Sequence, residues 1–356
     1  MDFTVQRVQI ASPGGYDHLC VQTTSECLEP AEDEVLIQIE SVGVNYADVC
    51  VRLGLYASAK KYVGWPITPG FEFAGKVLRV GSRVEGLCSG ESVFGVTRFG
   101  AYSSHIVVPS HQVFQLPPFL SMDEAAGMPS VFLTAYYCMF ELAHPHPDDY
   151  LLVHSAAGGV GSSLVQLGKI CGCKVVAVVG SKHKVETCQK LGADHVIDKS
   201  SEDLWAVARA LSPKGYYAIF DANGVETIQQ SFDHLALGGK LVVYGFHTML
   251  PKSTCASTGY LSWMDWLRAG WRYLQTPKFS PLDLTGANKS VMACNLSYMF
   301  DDKVDFMKTA VHRLLEWFKE GKLKPPPVTA FRLVDVADAH RSLESGLTVG
   351  KLVLKP

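Results

Sequence analysis

Short apolar runs broken by glycine and proline fill the chain up to about residue 122, and a regular alternation of apolar runs with helical stripes follows. In the first part, 35–39 (Val-Leu-Ile-Gln-Ile) and 73–80 read as strands, set off by Pro13-Gly14-Gly15, Pro66, Pro69-Gly70, Gly81 and Gly86. A helical stretch runs from Met122 to Glu141. An apolar strand at 151–153 then leads through small residues into a helix over 162–171, striped by Leu164, Val165, Leu167 and Ile170. Strands follow at 174–179, 195–197, 217–220 and 240–244. Such alternation predicts a parallel sheet with helices on both faces. An amphipathic helix over 304–320, a helix over 335–343 and a strand over 351–354 complete the pattern.

The turn between strand and helix carries the first chemistry. Residues 151–161 read Leu-Leu-Val-His-Ser-Ala-Ala-Gly-Gly-Val-Gly, which gives Ala-x-Gly-x-x-Gly where a dinucleotide fingerprint has three glycines. Ala156 keeps the turn compact, Gly158 lets a pyrophosphate approach the backbone, and Gly161 lets the helix pack on the strand, with Gly159 and Val160 between them. The helix N-terminus then offers its free N–H groups to the phosphates. After the next strand an NAD site has an acidic residue for the ribose hydroxyls. This chain has Gly180-Ser181-Lys182-His183-Lys184 instead. Ser181 can donate to a 2′-phosphate and Lys182 or Lys184 can supply charge, which favours NADP(H). The plainer reading is that these lysines solvate a helix start. Asn223 and Gly224, and further on Gly245 and Phe246, follow strand ends where ligands of open α/β sheets bind.

Composition narrows the class. At 356 residues there is material for about two domains, and 47% hydrophobic against 19% charged residues is the balance of a globular protein. A net charge of -3 argues neither for nucleic acid nor for an anionic membrane as an electrostatic partner. The ten cysteines are scattered without a Cys-x-x-Cys spacing, and Cys171 and Cys173 read as packing. With no secretory leader in view, reduced thiols and a cytoplasmic location are expected. No apolar run approaches the roughly 20 residues that span a bilayer.

Four ordered stretches carry a resemblance. They are 42–56 (Val-Gly-Val-Asn-Tyr-Ala-Asp-Val-Cys-Val-Arg-Leu-Gly-Leu-Tyr), 69–75 (Pro-Gly-Phe-Glu-Phe-Ala-Gly), the glycine turn and Gly350-Lys351-Leu352-Val353-Leu354. Together they resemble the medium-chain dehydrogenase/reductase superfamily, above all its zinc-free quinone oxidoreductase branch, which includes the vesicle amine transport protein homologues. The resemblance implies an α/β fold, with a Rossmann doubly wound parallel sheet (126–301) inserted in a GroES-like β-rich catalytic domain (1–125 plus 302–356). It also implies a homodimer, formed through an edge strand near 240–244 or 289–296.

Zinc-dependent members draw their catalytic ligands from a Cys in the first motif and a His before the Glu of the second. Here Asn45 and Phe71 stand at those positions, and neither supplies a thiolate or an imidazole. No metal is expected, and His105 and His111 read as ordinary residues of a β-rich domain. Without a Lewis acid, conjugated acceptors are the substrates that need least help, so the expected reaction is reduction of quinones or α,β-unsaturated carbonyls by NADPH. By resemblance, Asn45 and Tyr56 face the nicotinamide cleft. Tyr56 is either a proton donor or carbonyl anchor, or an aromatic packed beside a glycine loop. Tyr46 and Asp48 are placed at the substrate side, Asp48 with a helix cap as its plainer role. Thr134 and Asn295 resemble residues at the nicotinamide end of the cofactor.

The stretch 248–290, with Trp263, Trp266, Trp271 and Tyr273, is longer than compact quinone reductases carry. It reads as a lid, a pocket wall, a dimer contact, a peripheral membrane contact, or helical turns packed into the core. A second function class therefore stands beside the enzyme: a nucleotide-binding protein with little turnover that engages a membrane or protein partner through this segment.

Overall fold

In the computed structural model, which describes residues 2–251 and 262–356, one long strand, Glu34–Val44, organises the first sheet. It pairs antiparallel with Glu72–Val80 along its length, with His105–Pro109 over its first half and with Lys351–Lys355 at its end. The sheet runs Val328–Arg332, Lys351–Lys355, Glu34–Val44, Glu72–Val80, Ser92–Val96, Val113–Gln115. Leu352, Val353 and Leu354 are buried, so the closing strand lies inside the sheet with partners on both sides. A hairpin of Asp2–Gln9 and Cys20–Cys27 precedes it. Its second strand, Cys20–Cys27, is exposed along most of its length and gave little periodic signal.

The second sheet has six parallel strands, ordered His195–Asp198, Lys174–Val179, Tyr150–Val153, Tyr216–Asp221, Leu235–Val243, Ser290–Ala293. Numbered along the chain this is 3-2-1-4-5-6, the doubly wound order, and strand direction reverses its progress between Tyr150–Val153 and Tyr216–Asp221. Ligands of such sheets bind beyond the strand ends at that point. The strands read as continuous apolar runs because helices cover both faces, and Val175 to Val179 are all buried.

Several elements differ from the sequence reading. The helix expected over 122–141 is three pieces: Met122–Gly127, Pro129–Tyr136 and a wider π turn, Tyr137–Ala143. Ser121 and Glu124 cap the first piece reciprocally, and Pro129, unable to continue a helix, opens the second. The strand expected at 240–244 begins at Leu235, and the helix expected from 162 begins at Gly159, inside the glycine turn. Ser290–Ala293 is a short, half-buried strand at the sheet edge, inside the 289–296 stretch that the resemblance offered as an edge strand. Among the described residues no helix is long and apolar enough to cross a membrane.

Candidate active site

Strand register assembles the centre of the site. Leu352 pairs with Val44 and Phe73 with Val42, so Lys351, Asn45 and Glu72 meet where three strands end together. Gly43 makes the meeting possible, since a Cβ there would lie 2.2 Å from Glu72 Oε1. Lys351 Nζ donates to Glu72 Oε1 (2.8 Å), Asn45 Oδ1 (2.7 Å) and the Val44 carbonyl (2.9 Å), which uses all three of its N–H bonds. Both members of the ion pair are buried, and Glu72 also accepts from Asn45 Nδ2 (2.7 Å) and the Ser130 N–H (2.7 Å). Because an ammonium only donates, Asn45 must turn its oxygen to Lys351 and its amide nitrogen to Glu72. One Nδ2–H of Asn45 is left for a ligand. The donor set here is an amide, a carboxylate and an ammonium, so the local positive charge already belongs to Lys351. Sequence reading passed over Glu72 and Lys351, which appeared only as letters of motifs.

Asp48 lies deeper. Its oxygens accept from the Asn45 N–H (2.8 Å) and the Gly70 N–H (2.9 Å), it is fully buried, and burial pushes its carboxyl up to about 7 against the pull of those N–H groups. This corrects its placement among substrate-binding residues: a group with no surface and both oxygens occupied holds the loop at Gly70 to the helix Tyr46–Arg52. Behind it, Tyr102 Oη lies 3.3 Å from His340 Nε2, and His340 Nδ1 lies 3.5 Å from Arg52, which pairs with Glu344 at 2.9 Å. Arg52 can only donate, so His340 carries its proton on Nε2 toward Tyr102. Burial first, and Arg52 second, hold this imidazole well below its usual pKa and therefore neutral.

Tyr56 and Asn295, far apart in sequence, do meet. The Tyr56 hydroxyl donates to Asn295 Oδ1 (3.1 Å), which also accepts from the Ser297 N–H (3.1 Å) and Oγ (2.8 Å). The Tyr56 ring packs edge-on against Phe71 (5.4 Å between centroids) and Phe99 (6.4 Å). Burial raises its hydroxyl pKa further above the usual tyrosine range. Phe71 thus fills with an aromatic wall the position where zinc enzymes place a histidine. Tyr46 stands against His247 (5.7 Å), and both Tyr46 and Tyr56 pack on the buried group Val49, Cys50, Leu53 and Leu250. His247 and Leu250 carried no motif signal.

On the cofactor side, Ala156, Gly158, Gly159, Val160 and Gly161 form one turn at the end of Tyr150–Val153. A Cβ on Gly161 would lie 2.3 Å from the Ser155 carbonyl, so only glycine closes the turn. Ser155, at a positive φ of 51°, donates to Asn223 Oδ1 (3.0 Å) and brings the fourth strand's end against the turn, across the switch point. Gly350 donates to the Ala157 carbonyl (3.2 Å), which ties the strand of Lys351 to the same turn. The pyrophosphate of a dinucleotide fits such a turn, because a helix of twelve residues starts there with its first N–H groups outward. Gly245 packs on Ala222 and Phe246 is exposed beside it. The Thr134 hydroxyl donates back to the Ser130 carbonyl (2.7 Å), which leaves its oxygen able to accept. Ser181 follows the second strand, but Lys184 Nζ donates across to the Gly346 carbonyl (2.6 Å), so only part of its donor capacity is open. Lys199, unremarked in the sequence reading, is exposed at the end of the neighbouring strand. Its Cε lies 3.7 Å from where a Cβ on Gly180 would be.

A nucleotide-binding sheet whose glycine turn is tied through Gly350 to a β-rich unit with a buried ion pair beside it defines an oxidoreductase of two-part construction, and comparison with known proteins agrees. Residues 31–118 match the family described as alcohol dehydrogenase GroES-like domain, and residues 159–266 match the one described as zinc-binding dehydrogenase. The human synaptic vesicle membrane protein VAT-1 homolog is 31% identical over 346 residues, covering 96% of this chain and 84% of its own. Among solved structures, Escherichia coli quinone oxidoreductase complexed with NADPH superposes with a TM-score of 0.82 at 27% identity, covering 99% of this chain and 100% of its own. CurK enoyl reductase does so at 0.82 and 26% identity, covering 99% of each. The chain belongs to the medium-chain dehydrogenase/reductase superfamily, in its zinc-free quinone oxidoreductase branch.

Proposed function

We propose that the protein reduces quinones or α,β-unsaturated carbonyls with NADPH. The observation that carries this reading is the tie between two halves of one cleft: Gly350 and Lys351 bind the glycine turn and the Asn45–Glu72 cluster with consecutive residues. In this reading residues 126–301 hold the cofactor, and 1–125 with 302–356 hold the acceptor.

The turn Ala156–Gly161 would take the pyrophosphate, and Ser181, Lys184 and Lys199 the 2′-phosphate, with Asn223, Gly245, Phe246, Thr134 and Asn295 along the rest of the cofactor. When bound, NADPH supplies the hydride. The chain's own residues do the remainder. Asn45 offers its one open N–H to an acceptor oxygen, held in place by Lys351 and Glu72. Tyr56, a phenol and so protonated at neutral pH, is a donor and not a base; rotation of its O–H away from Asn295 delivers the proton to the oxygen that gains charge, and solvent reprotonates the phenolate afterwards. Tyr46 lines the acceptor side. Two copies would pair through the Ser290–Ala293 edge, which has a partner on one side only among the described residues. A cytoplasmic location belongs to the same reading.

The deciding experiment follows NADPH and NADH consumption over a panel of ortho-quinones, para-quinones and enones. Turnover with NADPH, a fall of about 100-fold or more in kcat for Tyr56→Phe, and a shift toward NADH for Lys199→Ala with Lys184→Ala are expected. Tight NADPH binding without turnover on any acceptor would overturn the reductase and leave a nucleotide-binding protein.

A further inference from the structure

The helix Trp263–Leu274 turns its apolar stripe, Trp263, Leu267, Trp271 and Leu274, to the outside, with Trp266 exposed beside it, and sets Asp265 and Arg272 against the protein. The helical-core reading of Trp263 and Trp266 is thereby corrected; of the stretch 248–290, residues 252–261 lie outside the described ones. Nothing in the structure shows what covers that stripe. The edge of the cleft beside Tyr56 is more telling.

That edge is a seam of three rungs between the helix Ala57–Tyr62 and the turn Leu296–Tyr298. Tyr56 meets Asn295, Ser58 meets Ser297 (Oγ to Oγ 3.1 Å), and the Tyr62 and Tyr298 rings stand 6.0 Å apart. The first rung borders the reacting centre. The third is the outermost, and Tyr62 there is 40% exposed. Cations collect at this rung. The Arg98 guanidinium lies 3.9 Å from the centre of the Tyr62 ring, and the Lys61 ammonium lies 4.9 Å from that centre and 5.4 Å from the centre of Tyr298. Arg98 is committed to its neighbours: it pairs with Asp301, and its Nε donates to the Ser297 carbonyl (3.3 Å). Lys61 is held by two ring faces, and among the described residues no carboxylate oxygen comes within 4.0 Å of it. Neither the chain between Asp48 and Glu72 nor residues 252–261 contain an acidic residue. Ring faces attract a cation without neutralising it. A positive charge is therefore held in place and left unbalanced, with a second cation nearby. Leu55 and Val63, both exposed, add apolar surface to the same rim.

We propose that the acceptor carries an oxyanion, a carboxylate or a phosphate, at the end of an apolar body, and that Lys61 binds it and so selects the substrate. The proposal rests on the reductase reading for its reaction. Five residues separate Tyr56 from Lys61, about 7.5 Å along a helix, so the oxyanion lies several bonds from the conjugated carbonyl. The rings have already ordered the lysine chain, which lowers the cost of binding. Because the contact is remote from the bonds that change, it is made alike in ground and transition states and acts on KM.

The test uses one enone in three forms, its tail ending in a carboxylate, a phosphate monoester or a carboxamide. Each is assayed with NADPH at low and high salt, and the saturated forms are titrated by calorimetry onto the NADP+-loaded protein. The native chain should favour either oxyanion over the carboxamide by at least about fivefold in kcat/KM, nearly all of it in KM, and high salt should shrink the ratio. Lys61→Met should bring the ratio close to one, whereas Lys61→Arg, and Lys60→Met at the neighbouring exposed lysine, should keep it. Lys61 is on the surface, and an unchanged thermal melt will show that its variants fold. A ratio near one in the native chain, or an equal ratio in Lys61→Met, overturns the proposal. If no form turns over, the reductase reading fails and calorimetry decides on the oxyanion. Charge-selective binding that Lys61→Met abolishes keeps the site; equal binding, or none, removes it.

Discussion

Lys351 decides the state of its neighbours more than any other residue in the site. Its ammonium orients Asn45 and neutralises Glu72, and both ends of that pair are buried. Lys351→Met should therefore cost about 3–5 kcal/mol in urea unfolding, because a carboxylate is left without its counter-charge, and Lys351→Met with Glu72→Gln should recover part of it. Asp48 gives a second prediction. An ordinary aspartate titrates at 3.8, whereas the folded protein holds this proton up to about 7. The folded state thus binds the proton more tightly, and the stability it contributes is full below the lower value and lost as pH rises through the higher one. Unfolding free energy measured across that window should fall more steeply for the native chain than for Asp48→Asn. If the two slopes coincide, the N–H groups of Asn45 and Gly70 outweigh burial.

At the scale of elements, the glycine turn was fully legible, since its spacing reports a steric requirement that the coordinates repeat. Gly161→Ala should accordingly weaken NADPH binding by at least about tenfold in a fluorescence titration, because the added Cβ meets the Ser155 carbonyl at 2.3 Å and the helix start must move. The doubly wound strands were legible for the same reason: buried on both faces, they leave runs that need no partner to be recognised. Glu72–Lys351 was not legible. Its members sit 279 residues apart and meet only through register, to which a local pattern is blind. Lys199 escaped because it follows a short strand, and its nearness to Gly180 comes from parallel pairing of Asp198 with Val179. Asp48 was visible as a motif letter with two roles open, a helix cap and the substrate side; the structure shows the cap, and nothing in the letters separates a carboxylate facing a cleft from one sealed beneath it. The helix Trp263–Leu274 shows the same limit in another form: its stripe predicts amphipathicity, but not which half faces the protein.

For the whole molecule, the open edge at Ser290–Ala293 predicts a solution species of twice the 38.9 kDa chain mass, by sedimentation equilibrium, and Met292→Pro should shift it toward the single chain. The joining of the two sheets by consecutive residues has a consequence in time as well as space. A ribosome adding about 5–20 residues per second reaches Lys351 roughly 15–60 s after Glu72. Throughout that interval the carboxylate has no ammonium, the strand Glu34–Val44 lacks its neighbour at one end, and the glycine turn lacks its tie to Gly350. Folding of the first sheet must wait for the strand Lys351–Lys355 to be made. A chain cut short before Lys351 should therefore go to the cell's proteases, not fold as a shortened version of the protein.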